Sequence, residues 1–222
     1  MTNSCVICEG NTESVLIQYY LRKAFEWTDC PKDQVDNLFR FNNNDSRKLL
    51  KPGKTVTISE TGGVSFFTEA LRKVLVYQKV SIDEYFERII IFTDHDESDT
   101  SARWHDTILE LLQTENVTIK KDTADSFICE LESDSNNNIS FEIDTVIVPF
   151  DEEGALETFL LNSVSEKDSY DAEIIRKGNN FVEAVDAEKK ISTIEGLLPK
   201  QNLMSIFRYV RRINFSKKDR IY

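Results

Sequence analysis

The chain has 222 residues, 40% of them hydrophobic and 10% aromatic, with only 7 glycines and 4 prolines. This is ordinary globular composition on a chain long enough to bury a core, and it excludes a disulfide-stapled mini-protein and a disordered chain. Lys and Arg number 27 against 39 acids, a formal net charge of −12, which argues against tight nonspecific attachment to a polyanion.

The charge is unevenly spread. Over residues 200–222 seven bases (Lys200, Arg208, Arg211, Arg212, Lys217, Lys218, Arg220) stand against Asp219 alone, so this tail is +6 and the remainder −18. No run of about 18 uncharged apolar residues occurs, and residues 1–9 lack the basic and apolar regions of a signal peptide. No membrane partner is expected, and the cytoplasm is the expected address. Cys5, Cys8, Cys30 and Cys129 are too few and too scattered for a disulfide framework and read as reduced thiols. Cys5 and Cys8 spell C-x-x-C inside a strand-like run, and His95 and His105 supply no second spaced pair of zinc ligands.

Taken in chain order, residues 4–8 predict a short strand ending at Glu9-Gly10. From 13 to 27, Val15, Leu16, Tyr19, Tyr20 and Ala24 recur at helical spacing. Residues 29–53 are polar and Asn-rich and read mostly as an inserted loop with a short helix. The unit then repeats: a β-branched strand at 55–59, a turn at Thr61-Gly62-Gly63, and an amphipathic helix through Phe66, Leu71, Val74 and Leu75. Ile89, Ile90, Ile91 and Phe92 form a continuous apolar run, the kind buried on both faces of a parallel sheet, and it ends at Asp94-His95-Asp96. A helix over 101–114 follows. Residues 126–131 and 139–143 predict a hairpin, 145–149 another buried strand, and the chain from Ala155 is helical, including 181–190 and 202–212. The pattern predicts an α/β fold with a doubly wound, mainly parallel sheet. The expected organisation is one domain over 1–160, with insertions at about 29–54 and 122–143, and a helical extension over 161–222.

In such sheets ligands bind beyond the carboxyl ends of the strands. Glu9 closes the first strand, Asp94 and Asp96 close the third, and Glu13 opens the first helix, so carboxylates from separate strands are expected at one edge. Gly10 belongs to the same turn, and Gly62 and Gly63 are expected to let a ligand approach the backbone. Carboxylates unsupported by His or Cys favour hard cations, Mg²⁺ or Mn²⁺. Like charges this close without a cation would raise one another's pKa values and weaken the fold. The chemistry that follows is phosphoryl transfer or phosphodiester hydrolysis.

The segments Val6-Ile-Cys-Glu-Gly-Asn-Thr-Glu13 and Ile90-Ile-Phe-Thr-Asp-His-Asp-Glu97 resemble the glutamate and aspartate motifs of the toprim domain found in topoisomerases, primases, ribosomal-RNA maturases and the overcoming-lysogenization-defect nucleases. The resemblance spans about residues 4–160. Glu153-Gly-Ala-Leu-Glu-Thr-Phe-Leu-Leu161 is similar to a signature of small stand-alone toprim-like bacterial proteins. The resemblance implies a nuclease, an effector in nucleic-acid processing or phage defence, with two Mg²⁺ or Mn²⁺ ions. By it, Glu9 binds metal or acts as general acid or base, Asp94 and Asp96 bind metal, and Glu13 and Glu157 complete a second metal site. Lys200 stabilises charge on the phosphate. His95 departs from the small residue many toprim proteins carry between the aspartates. Pro52-Gly-Lys-Thr55 lacks the upstream Gly of a P-loop, so nucleotide-driven control would need a separate ATPase chain.

Acids at an active-site edge repel nucleic acid, so the basic segments 40–54 and 207–220 are the expected holding surfaces for DNA or RNA, the second interleaving aromatics with bases as single-strand binders do. The alternative function is a noncatalytic module that holds a nucleotide or a partner at the same edge. A sugar-nucleotide transferase, which also uses Asp-x-Asp, fits the Glu-Gly turn less well.

Overall fold

The computed structural model describes residues 2–31, 46–81, 84–97, 99–134, 136–150 and 154–189, of which 181–189 are described as backbone. In chain order the first elements are β1 (Thr2–Cys8), α1 (Asn11–Phe25), β2 (Thr28–Asp29), β3 (Arg47–Lys51), β4 (Lys54–Glu60) and, after a 3₁₀ turn at Val64–Phe66, α2 (Phe67–Val80). β5 (Arg88–Asp94), α3 (Thr100–Thr114), β6 (Thr118–Asp122), β7 (Ser126–Glu132), β8 (Asn138–Val148), α4 (Leu156–Ser165) and α5 (Ser169–Lys189) follow.

The strands form a mixed α/β sheet of eight in the order β2-β3-β4-β1-β5-β8-β7-β6 among the described residues. Its centre is parallel, β1 pairing with β4 and β5, and β5 with β8; the flanks are antiparallel. Alternation sorts each strand's residues onto two faces. Cys5 and Ile7 of β1 join Ile89 and Ile91 of β5 under Phe67, Leu71 and Leu75 of α2 and Ile108 and Leu112 of α3. The opposite face places Val6, Cys8, Val56, Ile58 and Leu49 against Ile17 and Leu21 of α1. Cys5 and Cys8 therefore lie on opposite faces and form no disulfide. Burial pushes the Cys5 thiol up to about 12. Cys8 is raised by burial first and then by the charges of Glu13, Cys5 and Glu60. Both thiols stay protonated at neutral pH, as the reading of reduced cysteines expected.

Three expectations change. The segment 29–53 contributes strands that were not expected: β2 and β3 extend the sheet, with Leu49 fully buried, while 32–45, where most of the expected loop and short helix fall, lie outside the described residues. The strands expected at 139–143 and 145–149 are one strand, β8, whose first half pairs with β7 and whose second half pairs with β5. β6 was not expected; its Thr118, Lys120, Lys121 and Asp122 are exposed, so it lacks the alternating apolar pattern that marks a strand. The helix expected over 202–212 lies outside the described residues.

The chain divides into two compact units, Met1–Phe150 and Asp151–Tyr222. The helix carrying Glu157 belongs to the second of these units. The second unit is helical through α4 and α5 among its described residues. No helix there or in the first unit is long and apolar enough to cross a membrane among the described residues.

Two polar contacts tie helices α2 and α3 to the chain at the sheet. Gln78, fully buried on α2, donates from Nε2 to the Phe86 carbonyl at 2.8 Å and accepts the Phe86 amide at 2.7 Å, fixing the chain just before β5. On the far side of α3, His105 stacks on Phe127 and bonds Asp122 Oδ1 through Nε2 at 2.7 Å. That bond raises the His105 pKa, with the charges of Asp122 and Asp106 adding to it and burial opposing it.

Gln78→Ala removes two hydrogen bonds to buried backbone groups of Phe86, at about 1–3 kcal/mol each, so the variant should lose ~2–4 kcal/mol, read by urea denaturation. The raised His105 pKa means its contribution to stability is full below the unfolded value of about 6.5 and is lost as pH rises through the folded value. Asp122 is 42% exposed, so the pair is screened. His105→Gln should cost about 1–3 °C of Tm at pH 5.5 and nothing at pH 8.5 in thermal melts.

Candidate functional site

The register of β1 decides which groups meet at the carboxyl edge. Cys8 is level with Glu60 on β4 and Phe92 on β5. Asp94 is thus two rows past Cys8 on the adjacent strand, level with Val148 of β8, and is 5% exposed. On β5 the residues Ile90 and Phe92 pack on the α1 side of the sheet, so Asp94 continues their row. Glu60 continues the row of Val56 and Ile58 on that same side. With Glu13 at the start of α1, three acids lie on the α1 side, and Glu9 leaves the end of β1 next to them.

Glu9 is held through its backbone. Its carbonyl accepts the Gly62 amide at 3.0 Å, the Gly63 amide at 3.1 Å and the Thr61 hydroxyl at 3.3 Å, while the Thr61 amide bonds the Cys8 carbonyl at 2.9 Å. Thr61 is fully buried, and its hydroxyl also lies 3.0 Å from the Gly63 carbonyl. The positive φ angles of Gly62 (81°) and Gly63 (139°) let two successive amides turn back onto one acceptor. A Cβ at Gly63 would meet nothing within 4 Å, so there is room for a ligand at the turn. The amides themselves are engaged, so in this structure the turn serves as a clamp on Glu9.

Gly10 is engaged likewise. Its amide donates to Glu13 Oε2 at 2.9 Å, a carboxylate cap at a helix start, where the dipole favours negative charge. A Cβ at Gly10 would lie 3.1 Å from that same oxygen, which accounts for glycine here. Glu13 is 1% exposed, so one of its oxygens serves the helix and is not free to reach an ion without surrendering the cap.

Asp96 is exposed, in contrast to Asp94. Between them the His95 amide bonds the Val148 carbonyl at 2.9 Å, and Nδ1 lies 2.9 Å from the Pro149 carbonyl. A carbonyl only accepts, so Nδ1 carries the proton, and in the neutral ring Nε2 keeps its lone pair. The Glu97 carboxylate turns aside to Arg103 at 3.0 Å, and its backbone caps α3 through Thr100.

Glu157 belongs to the second unit, in the first turn of α4; it is 1% exposed and its Oε2 has no hydrogen-bond partner. Gly154, two residues before the helix, has φ 153°, and a Cβ there would sit 3.2 Å from Thr158 Oγ1. Lys200 and the segment 207–220 lie outside the described residues, as do 40–45 of the first basic segment.

No three His, Cys, Asp or Glu side chains are grouped to hold a metal ion among the described residues. The donor set nevertheless suits one kind of ion. The thiol of Cys8 stays protonated, leaving only carboxylate oxygens and the His95 ring, and Mg²⁺ is commonly held by one or two carboxylates plus waters. Sequence reasoning did not single out Glu60; its signal is the register that sets it beside Cys8.

Thr61→Val removes the hydroxyl of the Glu9 clamp at constant shape. It should lower Tm by about 2–4 °C, roughly 1 kcal/mol for a buried hydrogen bond, whereas Thr61→Ser should melt with the parent.

A solved structure described as the hypothetical protein PH0156 from Pyrococcus horikoshii OT3 shares this fold, with a TM-score of 0.56, 18% identity, and coverage of 98% of this chain and 95% of that one. A glyoxylase/bleomycin resistance protein/dioxygenase domain from Frankia sp. EAN1pec aligns over 65% of this chain and 90% of its own at 10% identity, but at a TM-score of 0.21 it carries no argument. No curated protein matches the chain. The family model DUF3226, described as a protein of unknown function, matches residues 3–209, and the chain therefore belongs to the DUF3226 family.

Proposed function

We propose that the protein is a divalent-metal-dependent nuclease of toprim type, with a doubly wound sheet, acting on phosphodiester bonds of DNA or RNA. The observation that carries the reading is the placement of Glu9 just past the end of β1 and of Asp94 as the last residue of the adjacent parallel strand β5. Glu9, Asp94 and Asp96 would hold Mg²⁺ or Mn²⁺, which when bound supplies Lewis-acid polarisation of the phosphate and an activated water. The chain's own part is positioning. The Thr61-Gly62-Gly63 clamp orients Glu9, the β5–β8 ladder holds Asp94, and Glu13 keeps the first helix seated beside them. Glu157 and Lys200 enter the proposal by resemblance, as a second-site ligand and a phosphate contact.

A second reading rests on a specific observation, the absence of three grouped ligands among the described residues. It is a noncatalytic module that binds a nucleotide or a partner at the same edge.

Asp94→Ala should abolish Mn²⁺-dependent cleavage of plasmid, single-stranded DNA and structured RNA. In calorimetry it should weaken divalent binding by about tenfold or more, because Asp96 alone does not hold a reluctantly dehydrated Mg²⁺. The rise of parent Tm with added Mn²⁺, expected by mass action, should disappear with it. Unchanged metal affinity overturns the site, and metal binding without cleavage by the parent selects the noncatalytic module.

A further inference from the structure

The apolar residues that announce α1 in the sequence stand on its outside. Val15, Tyr19, Tyr20 and Phe25 are 54%, 59%, 57% and 46% exposed, whereas the buried residues of the helix are Glu13, Ser14 and Gln18. One helix thus carries four of the twelve large exposed hydrophobics among the described residues, a concentration that scattered surface apolar residues do not produce. Three of the four are aromatic. Tyr20 and Phe25 meet edge-to-face with centroids 5.3 Å apart, and Lys23 Nζ lies 5.9 Å from the Tyr19 centroid.

Cations border these rings. Lys51 Nζ reaches the Phe25 carbonyl at 3.0 Å, tying the β3–β4 hairpin to the end of α1. Arg47 and Lys51 share the row of Leu49, which packs on the α1 side of the sheet. With Arg22, paired to Asp29, and Lys23, Lys51 makes three bases at this end of α1 against Glu26 and Asp29, locally positive in a chain of net charge −12.

We infer that this face of α1 is a stacking platform for single-stranded nucleic acid, leading to the acidic edge at the helix's other end. Exposed rings bind bases of any sequence through their π-faces, and neighbouring cations bind the backbone. The charge complementarity favours a polyanion over a second copy of an acidic chain. The stripe begins two residues after Glu13 and runs about 15 Å to Phe25 at 1.5 Å per residue. The inference rests on the proposed nuclease reading for its direction along the helix, but its test needs no metal.

Fluorescence anisotropy of labelled dT and U oligomers of about 12 nucleotides, titrated with the full chain in EDTA, measures the platform apart from cleavage. Tyr19→Ala/Tyr20→Ala should weaken binding by about tenfold or more, and Tyr19→Phe/Tyr20→Phe, which keeps the rings, should bind as the parent does. Arg47→Glu/Lys51→Glu should weaken binding and flatten its salt dependence, because fewer counterions are released. Comparison of the two oligomers separates DNA from RNA. No binding by the parent, equal binding by the alanine pair, or a parent dimer that the alanine pair converts to monomer in sedimentation would each overturn the platform. A metal edge that fails to cleave leaves these titrations unchanged, so the two readings fail separately.

Discussion

Parallel pairing of β1 with both β4 and β5 is the constraint on which the candidate site depends. The shared register brings three chain segments to the same level at one edge, with Cys8 opposite both Glu60 and Phe92. A slip of one residue in β5 would turn Asp94 to the other side of the sheet and exchange Ile89 and Ile91 with Ile90 and Phe92 between the two packed faces. The apolar runs behind the edge therefore fix the ladder on which its acids stand. Gln78 before β5 and Thr61 after β4 act at the two ends of the same parallel core, one anchoring where a strand enters and the other where the chain leaves.

Much of this was legible because buried parallel strands write continuous apolar runs. Residues 88–93 could be little else, and the acids that follow such runs fall at the carboxyl edge by topology. What was not legible depended on pairing partners. β3 reads as Arg-Lys-Leu-Leu-Lys, and only β4 alongside turns Leu49 into a core residue. Glu60 gains its place from being level with Cys8. The role of Gly62 and Gly63 in holding Glu9 was hidden for a related reason: the acceptor that takes their amides, the Glu9 carbonyl, is more than fifty residues away.

Helix α1 shows most clearly how spacing can be right and facing wrong. Its apolar repeat marks a helix correctly, yet its inward side combines Ile17 and Leu21 with the polar Ser14 and Gln18, and Gln18 Nε2 bonds Ser14 Oγ at 3.1 Å. A polar pair that satisfies itself can be buried at little cost, which frees the larger apolar residues for the surface.

The charges along α1 follow a simpler rule, with Glu13 in its first turn and Arg22 and Lys23 in its last. The helix dipole favours that order. It also separates the acidic and basic ends by roughly 15 Å, beyond the ~8–10 Å screening length of physiological salt, so an anion at one end is little affected by the acids at the other. Helix stability and the proposed division between a metal edge and an anion-holding surface would draw on the same charge order. The dipole would be served equally well by alanine at positions 19 and 20, however. Two tyrosines left mostly in water, one beside a lysine and one beside a phenylalanine, are what helix stability alone does not account for.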